Sequence, residues 1–388
     1  MNESCESRHI ACHHCDFISR VPELEPDHVA LCPICDGLLA ESQHKDQHEY
    51  VLPMAISALI LLALSFPFNF ISFSRQGLVQ SIKLLDATEM MLQYGQPFLA
   101  ALINLTIILL PASIMVFILL QQLRIIALLP SSAHIFFTKA LFRAKDWSMP
   151  EIFLAGVLVS LVKIVSLAEV SIGMSFWSYT GFVLCFIFTL IKLDKTALWD
   201  DVSHHGKFTQ SYTSMRAIDV DLAVCSQCDI LTHQDQCPRC NSRVVVRDPL
   251  NLQKTIALTI TAALLYIPAN LYPIMTTVFL SNSEPSTIIG GVVLLWHHGS
   301  YPVALVIFVA SVMLPIAKLS VLVLLSWVVK KRPDFSRRSF TVAYEITEFL
   351  GKWSMVDVFV VAILVALIHL GGIMEVIPGP GAFFSQRW

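Results

Sequence analysis

The chain has 388 residues, is 55% hydrophobic and only 14% charged, and carries a formal net charge of −3. Soluble globular chains carry about 25% charged residues, so this balance excludes an ordinary soluble domain and points to a membrane protein. So small a net charge argues neither for nucleic acid nor for an acidic substrate, and no nucleic-acid partner is expected.

Residues 1–51 are polar, rich in Cys and His, and hold no apolar core of the signal-peptide kind. Two C-x-x-C pairs lie here, Cys12/Cys15 and Cys32/Cys35; two more, Cys225/Cys228 and Cys237/Cys240, lie in residues 201–250. The sets read C-x2-C-x16-C-x2-C and C-x2-C-x8-C-x2-C, spacings at which two knuckles close a tetrahedral S4 shell around zinc. The later knuckle of each set is Cys-Pro-x-Cys, followed by Asp36-Gly37 or by Asn241, residues that tolerate the closing turn. Four cysteines per site leave no open coordination position. The expectation is therefore two structural zinc sites, with metal supplying folding energy that such short segments lack. Cys5 and Cys185 are left over.

Seven stretches are apolar enough to cross roughly 30 Å of hydrocarbon, at approximately 52–73, 97–120, 152–171, 174–193, 253–275, 302–329 and 354–377. The predicted organisation is a first ribbon (1–51), a first bundle (52–200), a second ribbon (201–250) and a second bundle (251–388). Loops on one side carry Arg8, Arg20, Lys45, Arg124, Lys139, Arg143, Lys145, Lys195, Lys207, Arg216, Arg239, Arg243, Arg247, the Lys330–Arg332 run, Arg337, Arg338 and Lys352; the other side carries Arg75, Lys83 and Arg387. The positive-inside rule then places the amino terminus and both ribbons in the cytoplasm of a bacterial inner membrane. A reducing compartment favours thiolate ligation over disulfides.

The two halves resemble each other. Each opens on its cysteines, followed by Pro67-Phe68-Asn69 or Pro268-Ala269-Asn270 near the far end of a first helix. A second helix contains Leu110-Pro111 or Leu314-Pro315, and a third opens on Trp147-Ser148-Met149 or Trp353-Ser354-Met355. In that register Glu151 aligns with Asp357 and Lys163 with His369. The ribbons precede their bundles from the same side, so the repeat is parallel. The second copy reaches Trp388 where a fourth helix is expected.

Ionisable residues at membrane depth are rare and mark polar paths or locked helix contacts. Lys318 lies deep in the sixth stretch, Lys163 and His369 fall mid-helix in the third and seventh, and Glu169 near the far end of the third. Asn69 and Asn270 either cap helix kinks or line a paired opening. Ser160, Ser311 and Ser320 extend a polar path or are small residues at helix contacts. Neither a phosphate-cradling glycine loop nor a nucleophile–base constellation is present, so no enzyme is expected.

The doubled unit of four-cysteine ribbon, Pro-x-Asn helix, Leu-Pro helix and Trp-Ser-Met helix resembles the paraquat-inducible protein A family over residues 10–385. The resemblance implies an all-α polytopic membrane protein with two rubredoxin-like zinc ribbons and eight membrane helices where about seven are read here. It implies an inner-membrane partner for a periplasmic MCE-domain tunnel protein, moving phospholipid between membranes of a Gram-negative envelope. A secondary transporter of a small solute, or a non-transporting membrane anchor, are the alternative expectations.

Overall fold

In the computed structural model of the protein, the described residues are 8–12, 14–22, 24–25, 28–41, 45–75, 78–93, 97–126, 130–165, 169–193, 195, 198–199, 215–245, 250–273, 275–279, 282–297, 301–331, 342, 346–347, 351 and 374–378. Ribbon 1 is two antiparallel hairpins, β1 (Arg8–Ala11) with β2 (Ile18–Val21) and β3 (Val29–Leu31) with β4 (Leu38–Glu41). Then come α1 (Lys45–Leu64), β5 (Ile71–Arg75), β6 (Leu78–Ile82), α2 (Asp86–Gln93) and α3 (Pro97–Asn104). A π-helical turn at Leu105–Leu109 joins α3 to α4 (Leu110–Gln122). The first half continues through α5 (Ser131–Trp147), α6 (Pro150–Val165), β7 (Glu169–Ile172) and α7 (Met174–Lys192).

Ribbon 2 contains β8 (Ala223–Val224) paired with β9 (Leu231–Thr232). It leads to α8 (Asn251–Leu271), β10 (Met275–Phe279), β11 (Asn282–Ser286), α9 (Ile288–His297) and α10 (Tyr301–Phe308). A second π-helical turn, Val309–Met313, precedes α11 (Leu314–Lys331), and β12 (Met374–Pro378) follows.

The protein is mostly helical, but it is not all-α. Two three-stranded antiparallel sheets, ordered β6-β5-β7 and β11-β10-β12, take residues that the apolar stretches had claimed. Ile71-Ser72-Phe73-Ser74-Arg75 alternates apolar and polar with the period of a half-buried strand, and so does Glu169-Val170-Ser171-Ile172. The first stretch therefore stops being helix at Leu64 rather than near 73, and the third at Val165 rather than near 171. Residues 374–377 of the seventh stretch are strand; the rest of it, 354–373, lies outside the described residues. Among the described residues, four helical spans are long and apolar enough to cross a membrane: Ala100–Gln122, Met174–Lys192, Asn251–Leu271 and Ser311–Lys331. The apolar part of α1, Tyr50–Leu64, is shorter.

The main core belongs to the first bundle. Val51, Ala55, Ala58 and Leu62 recur at helical spacing on α1 and meet Phe176, Tyr179, Phe182 and Phe186 of α7. The two alanines leave space for the aromatic row, whose rings meet edge-on or tilted.

Each π-helical turn has a visible cause. Proline at the second residue of α4 and of α11 has no N–H to give, and the ladder widens just before it. The Leu110 N–H reaches back to the Leu105 carbonyl, and Leu314 to Val309. Two carbonyls are thereby orphaned in the first bundle. Thr106 O accepts the Met149 N–H at 3.5 Å, and Ile107 O accepts the Tyr179 hydroxyl at 3.4 Å. The Trp-Ser-Met entry to α6 is thus the backbone cap of the Leu-Pro turn, which explains why the two motifs travel together. In the second half the Tyr266 hydroxyl donates to Val312 O at 3.3 Å.

Pro67 and Asn69 lie beyond α1 in a turn, whereas Pro268 and Asn270 stay inside α8. The carbonyl two residues before each proline accounts for the difference. Ser65 O is taken by the Ser175 hydroxyl of α7, and the Ser65 hydroxyl closes on Leu62 O at 2.6 Å, so the helix ends. Tyr266 O instead receives the Asn270 amide at 2.9 Å, and the helix runs on.

Gly173, which opens α7, is a position where any side chain collides. A Cβ there would stand 1.9 Å from the Asn69 carbonyl oxygen, which is backbone and has little freedom to give way. Gly173→Ala is expected to destabilise the first bundle by about 3 kcal/mol. Thermal unfolding in detergent checks this: a melting temperature equal to that of the parent chain would refute it.

Candidate metal centres and a polar seam in the membrane

All four cysteine knuckles are built alike. The residue after each second cysteine has positive φ: Asp16 (62°), Asp36 (55°), Asp229 (57°) and Asn241 (55°). Short polar side chains tolerate this left-handed geometry. Each of these residues returns its N–H to the carbonyl of the first cysteine, at 2.9, 2.9, 2.9 and 2.8 Å. The first cysteine's own N–H then bonds one residue further on, to Phe17, Gly37, Ile230 or Ser242. The backbone is thus folded around a shared point by its own amides.

The eight thiols form two groups, Cys12/Cys15/Cys32/Cys35 and Cys225/Cys228/Cys237/Cys240, and within each all sulfurs lie within 4.8 Å of one another. The nearest pairs, Cys12–Cys35, Cys15–Cys32, Cys225–Cys240 and Cys228–Cys237, stand 3.4 to 3.5 Å apart. A disulfide needs about 2.05 Å. Sulfurs at the corners of a zinc tetrahedron with Zn–S of about 2.3 Å sit roughly 3.8 Å apart. The donor sets fit a closed four-sulfur metal site.

Burial works against ionisation of Cys32, but the Ile34 and Cys35 amides and the Cys15 thiol hold it down at about 7. The Cys225 and Cys228 thiols hydrogen-bond Cys237 and lower it to about 6. Metal capture needs thiolate, and a thiol with a depressed value regains its proton as pH falls through that value. Metal-free protein should therefore take up Co2+ more slowly as pH falls below about 7, where Cys32 and then Cys237 regain their protons. Thiolate–cobalt absorption after rapid mixing reads this out, and rates flat from pH 8 to about 5.5 would refute it.

The ribbons do not stand apart. Ile18 and Ala11 of ribbon 1 share a core with Ala217, Leu222 and Leu231 of ribbon 2. Backbone bonds Ile18 N–H to Met215 O (2.9 Å) and Ala217 N–H to Asp16 O (2.8 Å) stitch them together. Ribbon 2 is in turn seated on the first bundle. Trp199, fully buried, stacks on Phe142 of α5 at 6.4 Å, and both pack with Ile135 around the four-cysteine group. Lys195 pairs with Asp229, the knuckle residue, at 2.8 Å, and its ammonium also lies 5.5 Å from the Phe142 ring centre.

The second bundle carries a polar seam between α8 and α11. Thr259, Tyr266 and Asn270 recur at helical spacing on α8; Ser311 and Lys318 recur on the facing span. Thr259 and Ser311 are buried and Lys318 is half-buried. Asn270 Oδ1 is buried and receives no hydrogen bond from a described residue. The Lys318 Nζ lies 3.1 Å from where a Cβ on Gly351 would stand, so that glycine makes room for the ammonium. Lys318 is about 13 residues, or roughly 20 Å, from the Lys331 end of its helix, too far for its side chain to reach the interface there.

The other polar residues expected in the membrane fare differently. Lys163 lies in the last turn of α6 rather than mid-helix, and Glu169 is in β7, opposite Ser74. Both shifts follow from β7 pairing with β5. Asn69 is exposed, and its carbonyl accepts the Ser175 N–H at 3.3 Å. His369, like Cys5, lies outside the described residues. Tyr179, Tyr266 and Thr259 were missed, although the spacing of Thr259, Tyr266 and Asn270 offered a signal for two of them.

The family model described as Paraquat-inducible protein A matches residues 49–203 and 252–385. The chain is 37% identical over 379 residues to the intermembrane transport protein PqiA of Escherichia coli K12, covering 97% of this chain and 90% of that protein. A probable intermembrane transport protein of Haemophilus influenzae is 29% identical, covering 97% and 90%. The lipophilic envelope-spanning tunnel protein A of Escherichia coli K12 is 25% identical, covering 96% and 85%. No solved structure matches the chain.

Proposed function

The chain belongs to the paraquat-inducible protein A family, and on that premise we propose that it is the inner-membrane component of an intermembrane phospholipid transport system. The observation that carries the reading is the seam: a half-buried ammonium, Lys318, in a strongly apolar helix that packs against the α8 helix carrying Thr259, Tyr266 and Asn270. Relatives named for intermembrane transport and for an envelope-spanning tunnel make lipid the fitting cargo. Lys318 meets the phosphate of the head group, Asn270 and Tyr266 bind its polar rim, and acyl chains stay against the apolar helix faces. We assign His369, Lys163, Glu169 and Asn69 to the same transport role.

The architecture that goes with this is a tandem parallel repeat with about seven spans. Hairpin, short helices, π-helical turn, long helix and returning strand occur in the same order in both halves, which supports it. The amino terminus and both zinc ribbons face the cytoplasm, as the basic loops favour. Both three-stranded sheets face the periplasm, where an MCE-domain tunnel protein docks. Two zinc ions hold the ribbons and do no chemistry.

A photoactivatable phospholipid tests the reading in the purified chain in nanodiscs. Adducts mapped by mass spectrometry should concentrate on α8 and α11 around Tyr266 and Lys318. Adducts spread evenly over all lipid-facing helices would count against the seam as the lipid site.

A further inference from the structure

The two hairpins of ribbon 1 treat their apolar side chains differently. On β1–β2, Ile18 is fully buried and Ala11 nearly so, both covered by ribbon 2. On β3–β4 and the knuckle between them, four large aliphatic side chains stay open: Val29 at 51%, Leu31 at 52%, Ile34 at 59% and Leu38 at 53%. Leu31 and Leu38 are register partners, Val29 lies on the same strand across a register shift between Ala30 and Leu31, and Ile34 sits in the knuckle between Cys32 and Cys35. Outside a membrane, a contiguous apolar patch of this kind marks a surface that something covers.

We propose that this patch rests in the lipid interface from which α1 enters the membrane, so that the zinc knuckle is a membrane-surface foot. Chain continuity argues for lipid. β4 ends at Glu41, α1 begins at Lys45, and its apolar part begins at Tyr50, which is 57% exposed in the manner of an interfacial anchor. The polar opening of α1 rises only about 8 Å, so the hairpin is held within reach of the head groups. Composition argues the same way. The patch is Val, Leu, Ile and Leu, without the Tyr, Trp, Arg or Met anchors that centre protein–protein interfaces. Aliphatic side chains on a rigid base insert shallowly at the acyl boundary. Ribbon 1 is then clamped on one hairpin by ribbon 2 and on the other by the bilayer.

The test uses the full chain in phosphatidylethanolamine–phosphatidylglycerol nanodiscs, with p-benzoylphenylalanine in place of Leu31 or Leu38. The control position is Ser226, exposed on ribbon 2. On irradiation, lipid adducts at positions 31 and 38 should exceed those at 226 by roughly tenfold. Leu31→Glu, with the probe moved to position 38 and two metal ions still bound per chain, should bring the yield down to that at 226. Equal lipid yields at all three positions, or cross-links from 31 and 38 to a second copy or another protein instead of lipid, overturn the proposal. Should Leu31→Glu lose its metal, the comparison of positions in the otherwise native chain decides alone.

Discussion

Cys237→Ser is expected to halve the metal content of the purified chain, from two ions to one, and to loosen the first bundle as well as ribbon 2. The reason is where ribbon 2 sits. Its four-cysteine group shares a core with Trp199 and with Ile135 and Phe142 of α5, while its other side completes the core under Ile18 of ribbon 1. A structural zinc site contributes on the order of 10–16 kcal/mol in isolated zinc-finger peptides, far more than any contact around it. With that gone, the fully buried Trp199 loses its support and Lys195 its partner. Cys12→Ser should also remove one metal ion, but among the described residues its hairpins join the ribbon 2 core and not the first-bundle core, so the loss should stay local. Metal per chain by mass spectrometry and limited proteolysis of α5 separate the two variants. Intact α5 protection in Cys237→Ser would show that the docking does not depend on metal.

How much of this was legible in the sequence depends on whether the signal was local. The knuckles were, because Cys-x-x-Cys and the short polar residue after it fix the turn within a few residues. α7 and the span ending at Gln122 were legible too, because long apolar runs need no partner to be recognised. The two sheets were not. Ile71–Arg75 and Glu169–Ile172 alternate over so few residues that an average over a membrane-length window absorbs them into the neighbouring helix. That one misreading displaced Lys163 toward mid-helix and put Glu169 on a helix instead of a strand.

The carbonyl pairings were hidden for another reason. Leu110-Pro111 announces an orphan acceptor, but which hydroxyl or amide satisfies it depends on packing of distant elements, here Met149 and Tyr179. Fusion of the ribbons was likewise invisible, since Ile18 and Leu231 meet only because of how two separated hairpins lie together.

Lys318→Ala is expected to abolish lipid exchange while leaving abundance, folding and both metal ions intact. Removing one partner of a desolvated, hydrogen-bonded charge pair costs roughly 2–5 kcal/mol, which is about thirtyfold to several-thousandfold in occupancy of the seam. Folding should tolerate the change, because among the described residues no carboxylate pairs with Lys318 and removing its charge strands no partner charge there. Two roles for the cation then part company in Lys318→Arg. A head-group contact survives in part, because guanidinium also binds phosphate, although the larger group crowds the space beside Gly351. A proton-coupled step does not survive, because guanidinium holds its proton throughout the accessible range. Partial exchange in the Arg variant with an unchanged pH profile thus assigns Lys318 to the phosphate, and exchange as low as in the Ala variant assigns it to proton transfer. Parental rates in Lys318→Ala would remove the cation from the lipid path altogether.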